Sequence, residues 1–116
     1  MSGTQTDLFA PTIAQRFAAW KVTPGGRFCL QKLYVITAGY HHVFTATGIA
    51  PSTRLVWEQL RYHLDEVRFK LRSRGHDMKR ERGFWLNDHF TAHAVRHMIQ
   101  RRPEWEPLFE LRDLRK

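Results

Sequence analysis

Between Arg68 and Arg82 the chain sets seven cations, Arg68, Lys70, Arg72, Arg74, Lys79, Arg80 and Arg82, against two acids, Asp77 and Glu81. Five of the formal +8 charges of the protein therefore fall in one short segment. Guanidinium and ammonium groups at that density neutralise phosphates and release condensed counterions, which gives affinity for nucleic acid without sequence preference. The competing reading is a solvated basic loop that serves solubility alone. Concentration of the charge in one place, rather than its total, favours contact with a polyanion.

A second set of chemistry-bearing residues is His89, His93 and His97, spaced i, i+4, i+8 along one helical face. Two imidazoles one turn apart can share a metal ion, but three on a straight helix cannot easily grip one. No Glu stands inside either pair, so the His-Glu-x-x-His metalloprotease pattern is absent, and Asp88, His63 and His76 complete a shell only if folding gathers them. Surface or phosphate-contacting histidines are the preferred reading. His41 and His42 are adjacent and diverge, which suits a helix end or aromatic filler beside Tyr40. No Gly-rich phosphate loop or Ser-centred elbow occurs, and Gly25-Gly26 reads as a turn. Acids are too few and too embedded in cationic sequence for a two-metal nuclease. Cys29 is the sole cysteine and is flanked by Phe28 and Leu30, so it reads as an inert buried thiol. The expectation is a protein that is not an enzyme and that needs no cofactor or metal.

These residues need elements to hold them. Residues 1–10 are small and polar and are expected to form a disordered tail. Pro11 opens a first helix in which Ile13, Phe17 and Trp20 recur at helical spacing up to Lys21. The turn Val22-Thr23-Pro24-Gly25-Gly26 ends it. A core helix is expected from Arg27 to Ala38, with Gly39 as its stop. Pro51 and Ser52 mark the start of a helix running to about His63, with Val56, Leu60 and either His63 or Leu64 inward and Thr53, Arg54, Trp57, Glu58 and Arg61 largely outward. The alternation Val67, Phe69, Leu71 and the run Phe84, Trp85, Leu86 read as two strands of a hairpin with a cationic tip. Asn87 and Asp88 then cap a helix from Phe90 to Arg101, stopped by Pro103. The tail, with Trp105, Leu108, Phe109 and Leu111, is too apolar to be free and should dock as a turn or short helix.

The expected fold is mainly α with a small β-hairpin, winged-helix-like, with four to five helices in one domain over residues 11–116. A chain of 116 residues supports one hydrophobic core. No signal-peptide pattern and no membrane-length apolar run are present, which points to a cytoplasmic protein without a membrane partner.

The helix VWEQLRY, the hairpin, and WLNDHFTAHAVRHMIQRRPEW ending in LFELR together resemble a family of small phage and prophage proteins. That family shows an acidic-then-Arg helix, an Asn-Asn-x-Tyr stretch leading to Ala-Arg, then His-Pro-Glu and Phe-Glu-x-Arg. The matching positions are Glu58, Leu60, Arg61 and Tyr62, then Asn87, Phe90 and Arg96, then Pro103, Glu104, Phe109, Glu110 and Arg112. Pro24 and Gly39 sit where the family's first long helix begins and stops. Asp88 replaces the second Asn, and Ala94 an aromatic. The resemblance implies shared ancestry and architecture and supplies no catalytic residue.

Helix followed by basic hairpin is how a winged helix meets DNA. The expectation is a small basic DNA-binding protein of helix-turn-helix type, a phage or prophage transcriptional regulator or nucleoid-type binder. Thr53, Arg54, Trp57 and Arg61 would face the major groove, where Arg pairs bidentately with guanine, and the cationic tip would grip phosphates. Arg61 has an alternative in an ion pair with Glu58 or Asp65. Arg54 falls where a helix-turn-helix usually buries a residue. Homodimers are common in that class, although no heptad is evident. A second class is a protein-interaction module that inhibits or redirects a host factor, with Trp57 and Trp105 as exposed anchors. A third is a metal-dependent enzyme built on the 89/93/97 histidines.

Overall fold

The computed structural model describes residues 10–78 and 82–109, and four α-helices carry the architecture. Helix α1 spans Ile13–Trp20, α2 Pro24–Thr47, α3 Thr53–Ser73 and α4 Thr91–Arg101, with short 3-10 segments at Arg82–Phe84, Asp88–Phe90 and Pro103–Leu108. Helix α1 opens on a capping box in which Thr12 and Gln15 bond each other's backbone N–H. No described helix is long and apolar enough to cross a membrane.

Helix α2 runs past the expected stop at Gly39 and starts earlier than Arg27. Pro24 stands in its first turn, and the Thr23 hydroxyl caps it by accepting from the Gly26 N–H at 3.0 Å. Gly39 sits on an exposed face with open space around its Cα, so it is tolerated in the interior at a cost of about 1 kcal/mol. The true stop is Gly48, which takes the left-handed conformation (φ 75°) and donates to the Phe44 carbonyl at 2.7 Å. Tyr40 and Phe44, packed against the core beyond Gly39, hold the extra turns in place.

The expected hairpin is overturned: no strand occurs among the described residues, and the first of its two segments is helix. Helix α3 continues from Thr53 through Ser73 and takes in Val67, Phe69 and Leu71. Leu60, Leu64, Val67 and Leu71 also fit a helical period, and Leu, Lys, Arg and Glu are good helix formers. Phe69, which a wing strand would have placed on one face with Val67 and Leu71, is 73% exposed. Lys70 and Arg72 stand in the last turn, where cations complement the negative end of the helix dipole. Gly75 (φ 89°) is a helix stop and not a hairpin tip: its N–H bonds the Arg72 carbonyl and the His76 N–H bonds that of Leu71, the two bonds of a Schellman motif. The winged-helix arrangement is therefore absent. Phe84, expected in the second strand, ends the 3-10 turn that begins at Arg82.

That turn lies on the start of α2. Trp20 Nε1 donates to the Gly83 carbonyl at 2.9 Å, the Phe28 and Phe84 rings meet at 5.7 Å, and Arg68 reaches the Phe84 carbonyl from α3. Asn87 follows, its side chain accepting from the His89 N–H to cap the 3-10 turn that leads into α4. The core joins all four helices through Phe17, Trp20, Leu33, Leu60, Leu64, Phe90 and Met98. After α4, the Pro103–Leu108 segment docks as expected, burying Trp105, Leu108 and Phe109. The readings for residues 1–9 and for Glu110, Leu111 and Arg112 lie outside the described residues.

Candidate nucleic-acid interface and basic cleft

The expected reading face of α3 is only partly free: Trp57 is buried, Arg61 is held in ion pairs, and Arg54 and Glu58 are exposed. Ser52 caps the helix by accepting from the Leu55 N–H, as expected, and this sets the phase that turns Val56, Leu60 and Leu64 into the core. The same phase buries Trp57, which is 5% exposed and donates through Nε1 to the Asp88 carboxylate at 3.2 Å. Arg61 pairs with that carboxylate and also approaches Glu58 at 3.6 Å, close to the ion-pair alternative read from the sequence. Thr53 is half-buried beside Trp57 in a shallow depression that Asp88 and Thr91 also line. Of the four residues expected to face DNA from this helix, Arg54 alone has an exposed side chain.

The cationic segment divides in two. Arg68 is a structural residue: its guanidinium pairs with Asp65, donates to the Phe84 carbonyl at 2.8 Å and lies 4.2 Å from the Trp85 ring centroid. Lys70, Arg72 and Arg74 close α3 with exposed side chains, and among the described residues none of them shares an ion pair. Lys79 and Arg80 lie outside the described residues, as does the side chain of Arg82.

The three histidines of the α4 face part company. His89 is exposed, His93 stacks on the Phe17 ring at 5.7 Å, and His97 Nδ1 lies 3.0 Å from the Tyr34 hydroxyl. No three His, Cys, Asp or Glu groups among the described residues converge as a metal site requires. His41 packs its ring near Phe44 and Trp105. Trp105, read as an exposed protein anchor, is 5% exposed and lies under the Arg102 guanidinium, so both anchors of the protein-interaction reading are core residues. Cys29 is fully buried with Sγ 3.7 Å from the Gly83 carbonyl, and burial pushes its thiol up to about 12.

One feature has no counterpart in the sequence reading. The α1–α2 turn, α2 and α4 enclose an open cleft of about 440 Å³ lined by Lys21, Arg27, Gln31, Tyr34, His97 and Arg101, with Val22 and Leu30 as its apolar part. Three cations from three elements line it, and among the described residues no carboxylate joins them. Burial, followed by the nearby Lys21 and Arg101 charges, holds the His97 imidazole below its usual 6.5. Burial also raises the Tyr34 phenol, against the pull of Arg101 and Arg102. Lys21 and Arg101 stand eighty positions apart in the chain, and only packing of α4 against α2 joins them.

Comparison of the chain with protein-family models, with curated proteins and with solved structures finds no match.

Proposed function

We propose that the chain is a small basic DNA-binding protein whose contact surface is the cationic end of α3. The observation that carries this reading is the exposure of Lys70, Arg72 and Arg74 at one helix end, unpaired among the described residues, in a protein of formal charge +8. Lys70 and Arg74 leave the helix on one side, and Arg72 leaves on another. Cations on two sides of a helix end can meet phosphates flanking a groove, which favours affinity over base readout. Arg54, at the opposite end of the helix, adds a further exposed guanidinium. The buried Trp57 and the ion-paired Arg61 weigh against base reading by this helix and in favour of a nucleoid-type binder over a sequence-specific regulator. The likeness to small phage and prophage proteins is compatible with either setting.

The test is fluorescence anisotropy of a short labelled duplex across a salt series. Binding should weaken by about 0.9 log unit per log unit of salt for each phosphate neutralised. Joint replacement of Lys70, Arg72 and Arg74 by Ala should lower affinity for every duplex sequence and flatten the slope by about 2 to 3. Unchanged binding by that variant, or none by the native protein at low salt, overturns the reading.

A further inference from the structure

We infer that the cleft between the α1–α2 turn, α2 and α4 binds a phosphoryl group carried on an organic moiety, with Arg27, Arg101 and Lys21 as the anion-holding side chains. This does not rest on the reading of α3, which lies elsewhere in the chain.

The charge pattern comes first. Arg27 projects from the first turn of α2, Arg101 from the last turn of α4, and Lys21 from the C-cap of α1. Like charges drawn into one concavity repel one another, and among the described residues no Asp or Glu lines the cleft to offset them. An incoming anion relieves that repulsion and gains charge-assisted hydrogen bonds, which are about twice as strong as neutral ones. Two guanidiniums fit a phosphate better than a single carboxylate, because their planar forks can each donate twice to tetrahedrally placed oxygens.

The remaining lining sets the ligand class. Gln31 and the Tyr34 hydroxyl supply neutral polar groups, while Val22 and Leu30 offer apolar surface on the same wall. A cavity of about 440 Å³ is far larger than a bare phosphate requires and falls in the range of small-molecule sites. A phosphate with an attached sugar and ring, as in a mononucleotide, fits both the charged and the apolar parts. The same group occurs along a nucleic-acid strand, so a free nucleotide and a strand end are two sources of one chemistry.

Isothermal titration of the full chain with adenosine monophosphate, inorganic phosphate and adenosine tests the site. Adenosine monophosphate should bind saturably with one site per chain, inorganic phosphate more weakly and adenosine not at all. Arg27→Gln and Arg101→Gln, both at exposed positions, should each weaken the nucleotide by roughly tenfold or more. The variant lacking Lys70, Arg72 and Arg74 should bind it normally, which separates this site from the α3 surface. In NMR, the His97 ring should titrate at higher pH once nucleotide is bound, because a dianion beside it favours the imidazolium. Absence of saturable binding, equal affinity for adenosine, or unchanged affinity in both Gln variants overturns the inference. If the site stands, displacement of the nucleotide by a single-stranded oligonucleotide assigns it to a strand end, and failure to displace assigns it to a free nucleotide.

Discussion

The indole Nε1 of Trp20 donates to the main-chain carbonyl of Gly83 at 2.9 Å, across sixty-three residues of chain. This bond ties the end of α1 to the segment that follows the cationic stretch, and the Cys29 thiol approaches the same oxygen. Beneath them the α2 backbone at Gly25 comes so close to Gly83 that a Cβ on Gly25 would lie 2.2 Å from the Gly83 carbonyl carbon.

Two glycines of α2 should therefore respond in opposite directions. Gly25→Ala forces one backbone off another and should destabilise the fold by about 1–3 kcal/mol or more. Gly39→Ala adds a Cβ that meets nothing within 4 Å and should stabilise it by about 0.5–1 kcal/mol through the gain in helix propensity. Urea unfolding followed by tryptophan fluorescence measures both, and a stabilised Gly25→Ala protein would contradict the close approach.

Within the cationic stretch, Arg68 and Arg72 should separate stability from binding. Arg68→Ala removes an ion pair, a bond to the Phe84 carbonyl and a contact with the Trp85 ring, and should cost about 1–3 kcal/mol. Its effect on the salt slope of DNA binding should be small. Arg72→Ala should leave the unfolding midpoint nearly unchanged and lower the slope by about 0.9. Paired urea and anisotropy series compare the two, and equal behaviour would refute the division of the cluster.

Stability should fall on the acid side through His97. Its folded pKa lies below the usual 6.5, so between the two values the unfolded chain binds the proton more readily. The neutral imidazole contributes fully above 6.5, and the contribution is lost as pH drops toward the folded value. His97→Gln should flatten this part of the stability profile, measured as urea midpoints from neutral to mildly acid pH. A native profile that rises as pH falls through this window would have the wrong sign.

Cys29 should resist alkylation until the chain opens. Burial pushes the thiol up to about 12, so at mildly alkaline pH the folded protein presents neither access nor thiolate. Iodoacetamide labelling at mildly alkaline pH should follow the unfolding curve in urea. Rapid labelling of the folded protein would show that α2 is not packed as described. Because the folded value exceeds the unfolded one, this thiol should also lower stability as pH climbs above about 9.

Much of the helical frame is legible in the residues. The Ser52 cap, the inward Val56 and Leu60, the helix ending at Arg101, the docked tail and the buried Cys29 all follow from local periodicity and polarity, and the structure selects Leu64 over His63 as the next inward residue. The hairpin misled because Val67 and Leu71 fit both an alternation through Phe69 and the helical series that starts at Leu60 and Leu64, and a glycine after a cationic turn suits a hairpin tip or a helix stop. The left-handed Gly75 with its Schellman bonds resolves that ambiguity in favour of α3. Trp57 looked like a reading residue because one helix, taken alone, does not reveal that Asp88 will arrive to accept its N–H.

Composition and short-range pattern thus determined the net positive charge, the single core and most helix starts, since these depend on neighbours three or four positions away. Only the tertiary structure decided which cations are consumed in holding the chain together and which remain exposed, and that Lys21, Arg27 and Arg101 would share one cleft. Those outcomes depend on how α4 and the segment after Arg82 pack against α2 and α3, and no local periodicity encodes contacts between residues so far apart.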